Sequence, residues 1–145
     1  MRHDVLEPKL SQLLSLLFEG SFETRPWNGF LQQLRQITGA SYASLIFRPV
    51  NMPLNALVEH FSGERSPPYL QVAYTDEIHL RDPLPHYRLI DGRIYSLEEM
   101  LDLNDPNHFA YYKDLIEPSG MNEMRIMRVV EASGLSGWLT IARPA

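Results

Sequence analysis

NEMRIMRVVEASGLSGWLTIAR, residues 122–143, holds two runs rich in β-branched and long apolar side chains around a cluster of small, turn-forming residues. Asn122 to Glu131 and Gly137 to Arg143 are therefore predicted strands. The short join Ala132-Ser133-Gly134-Leu135-Ser136 makes them an antiparallel hairpin. Upstream, Ser41 to Pro49 also repeats with period two, placing Ala43, Leu45 and Phe47 on one face and Tyr42, Ser44, Ile46 and Arg48 on the other. After the Pro- and Asn-containing stretch Pro49 to Asn55, Leu57 to Phe61 forms a second short strand, ends at Ser62-Gly63, and is placed to pair antiparallel with the first. Asp91-Gly92 turns the chain into one more strand, Arg93-Ile94-Tyr95-Ser96.

Helical signals surround these strands. Leu6, Leu10, Leu13 and Leu17 fall on one stripe of a helix from about Asp4 to Glu19, which Gly20 stops. That stripe either packs on its own domain or forms a seam with a second copy. Leu14, Leu16 and Phe18 widen the arc enough to do both, so a homodimer through Leu6, Leu10, Leu13 and Leu17 is expected. Thr24 as cap and Pro26 in the first turn open a second helix, with Trp27, Phe30, Leu31, Leu34 and Ile37 on one face and Gly39 closing it. Ser66-Pro67-Pro68 starts a helix through about Leu80, and Asp82-Pro83 follows its end. Ser96 and Glu99 fit a capping box for a short helix to about Leu101, and Asp105-Pro106 begins another that runs to Ile116, before Glu117-Pro118-Ser119-Gly120. This order lacks the strict strand–helix alternation of a parallel doubly wound sheet. The expected fold class is α+β, an α-β-α sandwich around a central antiparallel sheet.

Composition narrows the function. At 145 residues and 44% hydrophobic, the chain suits a single domain, residues 1–145, with a real core. The absence of cysteine removes thiol nucleophiles, zinc ribbons and iron–sulfur ligation, and fits a cytoplasmic location. Thirteen Lys+Arg against eighteen Asp+Glu leave a formal net charge of −5, the wrong sign for gripping nucleic acid phosphates unaided. No apolar run approaches the ~20 residues that cross a bilayer, and no signal peptide is evident, so no membrane association is expected.

No catalytic constellation emerges, and the chain is not expected to be an enzyme. There is no G-x-S-x-G elbow. Gly134-Leu135-Ser136-Gly137 lies between strands and reads as a turn rather than a phosphate cradle. Of the five histidines, only His79 and His86, flanking Asp82, are close enough to suggest metal ligands, and Asp82-Pro83 breaks any common helix face, so no metal and no cofactor are expected.

What remains is a concentration of aromatic residues in mid-chain: Phe47, Phe61, Tyr69, Tyr74, Tyr87 and Tyr95, with Asp82 among them. Apolar walls with a few fixed polar groups suit a small-molecule site, and tyrosine supplies both wall and hydroxyl; the same residues also suit a core and its edge. The two Asp-Pro dipeptides differ. Asp105 precedes a helix and serves as its N-cap, whereas Asp82 follows one and has no such task. A carboxylate beside so much apolar surface needs a donor: Arg81, Arg88, a backbone N–H or a ligand N–H.

Trp27 to Leu34, Tyr69 with Tyr74, Asp82-Pro83-Leu84-Pro85 and Met121 to Pro144 together resemble the N-terminal sensing domain of LuxR-type bacterial transcription regulators, whose fold is related to PAS and GAF domains. The resemblance implies a regulatory domain that binds a small organic ligand, an acyl-homoserine lactone or an aromatic compound, through Tyr69, Tyr74 and Asp82. Phe47, Phe61 and Tyr95 complete the expected site. It also implies a helix-turn-helix DNA-binding domain beyond residue 145, so that DNA is met only through that domain. Tyrosine replaces the family's leading tryptophan, and the spacing to Asp-Pro differs by about one residue, which on a helix turns a side chain by ~100°. The other expectation for the same fold is a ligand-free dimerisation or protein-interaction module whose pocket is filled by its own side chains.

Overall fold

A computed structural model of the protein describes residues 11–17, 19–49, 58–64, 67–76, 82–130 and 135–144. The strands are β1 (Tyr42–Pro49), β2 (Val58–Gly63), β3 (Ile94–Ser96), β4 (Glu123–Val130) and β5 (Leu135–Arg143). They form one sheet of order β2-β1-β5-β4-β3 in which every pairing is antiparallel. The predicted hairpin is present, with Glu123 opposite Arg143 and Val130 opposite Ser136. Its second strand starts at Leu135, two residues before the expected Gly137, because Leu135 and Ser136 already pair with Pro49 and Arg48 of β1.

One face of the sheet carries α1 (residues 11–17) and α2 (Asn28–Thr38). Phe30 and Leu31 of α2 bury against Ala43 and Leu45 of β1, with Leu13, Leu16, Phe47, Leu139 and Ile141 closing around them. Of the leucine stripe expected at the first helix, Leu13 thus packs on its own domain, Leu17 is exposed, and Leu6 and Leu10 lie outside the described residues.

The start of α2 differs from expectation. Its N-cap is Trp27 in the left-handed conformation (φ 57°), rather than Thr24. The Trp27 amide donates to the Gly20 carbonyl at 3.0 Å and its indole Nε1 to the Leu17 carbonyl at 3.2 Å, so the chain stays folded back on α1 until Trp27 has docked. Gly20 is required there, since a Cβ would lie 2.3 Å from the indole ring. Glu23 replaces a capping side chain, its carboxylate accepting from the Gly29 amide at 3.3 Å. Gly39, at φ 72°, ends the helix as expected.

The other face is covered by α3 (Pro68–Asp76), the segment 82–92, α4 (Leu97–Met100) and α5 (Pro106–Tyr111). The cap expected for α3 at Ser66 and its extension to Leu80 fall outside the described residues. α4 has the predicted capping box, Ser96 with Glu99, and Asp105 caps α5 by accepting from the Asn107 amide at 2.8 Å. Beyond α5 the helix does not stop at Ile116. It widens into a π-helical turn at Tyr112–Ile116 and continues to Ser119, ending at Gly120 with φ 74°. The two helical layers around one antiparallel sheet make the α-β-α sandwich that the sequence predicts.

Candidate functional site

The two faces of β1 separate the packed side from a cavity. Ala43, Leu45 and Phe47 point to α2, while Tyr42, Ser44, Ile46 and Arg48 floor a cavity of about 590 Å³ on the other side. Trp138, Thr140 and Ala142 of β5 and Met124 and Ile126 of β4 extend the floor. The roof comes from Leu70, Gln71 and Tyr74 of α3, Asp82, Leu84, His86 and Tyr87 of the following segment, and Tyr111, Leu115, Ile116 and Ser119 of the α5 run. The π-helical turn has a direct effect here. Widening one turn brings Tyr111 and Ile116, five positions apart, onto the same cavity-facing side of the helix.

Asp82 is the polar centre of the roof, with its side chain only 5% exposed. Its Oδ1 accepts from the Leu84 amide at 2.8 Å, an arrangement set by the extended residue before Pro83. Its Oδ2 accepts from the Tyr74 hydroxyl at 2.7 Å and lies 3.1 Å from His86 Nε2, with the Tyr111 hydroxyl at 3.5 Å. Because an ionised carboxylate only accepts, Nε2 is the nitrogen that carries the hydrogen in this contact. Burial by itself would push the Asp82 carboxyl up. The His86 contact and the hydrogen bonds from Tyr74 and Leu84 outweigh it and hold the group below its ordinary value of 3.8. Burial and the charge of Asp82 conversely raise Tyr74 and Tyr111 well above the ordinary phenol value of 10.0, so both remain protonated donors.

The His86 backbone is fixed as well. The Trp138 indole donates to its carbonyl at 3.1 Å, and both His86 and Tyr87 meet the Trp138 ring edge to face. The Tyr87 ring in turn lies between the guanidinium groups of Arg48 and Arg128, at 5.9 and 5.7 Å. These contacts tie the floor of the cavity to its roof at one end.

Of the residues singled out in the sequence for a site, Tyr74, Tyr87 and Asp82 line this cavity, and Tyr74 and Asp82 touch each other. The remaining four do not line it. Tyr69 is 65% exposed on the outer side of α3, and its neighbour Leu70, one helical step of ~100° away, is buried and faces the cavity. Phe47 is on the opposite face of the sheet, against Trp27 and His60. Phe61 stacks on Tyr42 at the sheet margin, with ring centroids 6.5 Å apart. Tyr95 is on edge strand β3, where its hydroxyl accepts from the Ile90 amide at 3.0 Å and its ring receives the Arg93 guanidinium.

Sequence reasoning missed Ser44, Thr140, Trp138, Tyr111 and Ser119. A signal existed for the first: the alternation of β1 sets Ser44 opposite the fully apolar face. Among the donors foreseen for Asp82, a backbone N–H is the one observed. Arg81 lies outside the described residues, and among the described residues no arginine contacts Asp82 and no three His, Asp or Glu side chains gather as metal ligands.

No protein-family model and no curated protein matches the sequence. Solved structures do match in fold. The N-acylhomoserine-lactone-dependent LuxR family transcription factor CepR2 from Burkholderia cenocepacia superposes with a TM-score of 0.69 at 16% identity, over 100% of this chain and 82% of that one. The ligand-binding domain of VqsR from Pseudomonas aeruginosa gives a TM-score of 0.62 at 16% identity, over 97% and 81%. Escherichia coli SdiA gives 0.60 at 17% identity, over 94% of this chain, which spans only 56% of the SdiA chain. SdiA has also been solved in complex with octanoyl-rac-glycerol. The chain has the fold shared by these regulator domains.

Proposed function

We propose that the chain is a non-catalytic sensing domain that binds a small organic ligand in the cavity between sheet and roof. The carrying observation is the cavity itself. Its walls are mainly apolar, its volume of about 590 Å³ is in the range of small-molecule sites, and a few fixed polar groups point into it. Tyr74 and Asp82 are the site residues for which the geometry speaks. In the proposal they hold the roof closed and present a polar corner to the ligand. Acyl-homoserine lactones, neutral acyl esters and small aromatic compounds are the candidate ligand classes. The first two are chosen because CepR2 is N-acylhomoserine-lactone dependent and SdiA is solved with octanoyl-rac-glycerol.

The same proposal makes the domain part of a cytoplasmic transcription regulator that dimerises through its helical side, with a helix-turn-helix beyond residue 145. Exposed Leu14 and Leu17 on α1 support the dimer surface. Among the described residues no helix is long and apolar enough to cross a membrane. Ligand binding would favour one dimer arrangement, and so change the spacing of the attached DNA-binding helices.

Thermal unfolding with N-octanoyl-homoserine lactone, octanoyl-rac-glycerol and small aromatic acids tests the proposal. A ligand present at 100 times its dissociation constant adds ~2.7 kcal/mol of stability. No stabilisation by any probe at millimolar concentration would overturn the sensing role.

A further inference from the structure

Asp82 lines the cavity, yet its side chain is only 5% exposed, whereas that of His86, four residues on, is 32% exposed. The difference has a structural cause. A carboxylate offers about four acceptor positions, two on each oxygen. Oδ2 already receives the Tyr74 hydroxyl at 2.7 Å and the His86 Nε2 hydrogen at 3.1 Å, with the Tyr111 hydroxyl at 3.5 Å. Oδ1 receives the Leu84 amide at 2.8 Å. Tyr74 comes from α3, Tyr111 from α5, and Leu84 and His86 from the segment between, so the donors that fill the carboxylate converge from different parts of the roof and also bury it.

His86 is fixed from two sides. Its Nε2 is engaged by Asp82, while the Trp138 indole holds its carbonyl at 3.1 Å and meets the imidazole edge to face. A ligand N–H brought to this corner finds the acceptor positions of Oδ2 taken, and would give up its hydration with nothing in return. An ester oxygen in the same place carries no hydrogen and loses less. Charge points the same way. Among the described residues, Glu59, Glu64 and Asp82 against Arg48 leave the lining net negative, which disfavours an anionic ligand.

We infer that His86 is a specificity-determining residue of the cavity: by occupying and screening Asp82 it closes the carboxylate to ligand N–H groups, so that the site takes neutral acyl esters in preference to acyl amides. This rests on the sensing role proposed above and narrows its ligand class. Asp82 then contributes to the polar corner through the Tyr74 and His86 side chains that it gathers.

The test uses calorimetric titration of the full chain with N-octanoyl-homoserine lactone and with its ester counterpart, α-octanoyloxy-γ-butyrolactone, which differ only by N–H against oxygen. The wild type is expected to bind the ester at least as tightly as the amide. His86→Ala removes the donor and the ring that cover Oδ2, and should shift the ratio of amide to ester affinity about ten-fold toward the amide, the usual worth of one hydrogen bond to an ionised group. His86→Gln keeps a side-chain N–H donor and should keep the wild-type ratio. Each ratio compares two ligands on the same protein, so a loss of stability in a variant cancels. A wild type that prefers the amide by more than about two-fold, a ratio unmoved by His86→Ala, or one moved equally by His86→Gln would overturn the screening role while leaving the sensing role intact. Binding of neither lactone to the wild type also overturns it, and the sensing role falls with it only if the other probes give no stabilisation.

Discussion

The two faces of the sheet are built from alternate residues of the same strands, yet they are finished differently. On the α2 side, Leu31, Ala43, Leu45 and Phe30 interlock with no polar side chain among them. On the α3 side, Ser44 of the same strand and Thr140 and Trp138 of β5 look into a cavity, and the roof above them is held by Asp82 rather than by apolar contact alone. The first face carries stability. The second gives up packing to keep a space whose polar groups are fixed in direction, which is the compromise a binding site demands.

The largest effect of breaking this contrast should come from the packed side. Leu31 is completely buried, and Leu31→Ala is expected to cost about 2–5 kcal/mol in urea unfolding while leaving ligand affinity of the remaining folded protein unchanged. On the cavity side, Asp82→Asn removes the charge that gathers Tyr74, His86 and the Leu84 amide, and should cost about 2–3 kcal/mol. That cost depends on pH in a defined direction. Because folding holds the Asp82 carboxyl below its ordinary 3.8, the stability it contributes is complete above that value and is lost as pH falls through the folded value. The difference between wild type and Asp82→Asn should therefore shrink as pH falls below about 4. A difference that kept growing as pH fell below about 4 would contradict the hydrogen-bonded carboxylate.

Smaller effects sharpen the comparison within α3. Tyr74→Phe keeps the ring and deletes one hydrogen bond to an ionised group, an expected loss of about 1.5 kcal/mol by urea titration. Tyr69→Ala, on the outer side of the same helix, should change stability by less than about 0.5 kcal/mol and leave binding of any cavity ligand untouched. If Tyr69→Ala instead weakened ligand binding, the cavity would not be the site.

Much of the architecture was legible because period two and period 3.6 are local properties. The strands, the antiparallel hairpin, the capping box at Ser96 and the cap at Asp105 follow from neighbours in sequence. Asp82 was legible for the same reason, since a carboxylate after a helix has no capping role. Phe47 shows where residue type misled. Its aromatic ring suggested a pocket wall, although its own alternation with Ala43 and Leu45 had already placed it on the packed face. Tyr69 shows how a one-residue offset on a helix exchanges a solvent-facing side chain for a cavity-facing one, here Leu70. The π-helical turn after Tyr111 leaves no mark in hydrophobic spacing, so the cavity-facing side of Tyr111, Ile116 and Ser119 depended on tertiary packing. The late start of α2 has the same origin, because Trp27 is held by Gly20 and Leu17 from outside its own helix.

The two tryptophans of the chain divide between the faces: Trp27 packs with α2 and the Trp138 ring lines the cavity, each donating its indole N–H to a carbonyl. Their two indole signals in a nitrogen–proton correlation spectrum therefore report the two sides separately. Titration with N-octanoyl-homoserine lactone or octanoyl-rac-glycerol should move the Trp138 signal to saturation and leave that of Trp27 in place. Movement of Trp27 alone, or of neither signal with any probe, would contradict a ligand site on the cavity face.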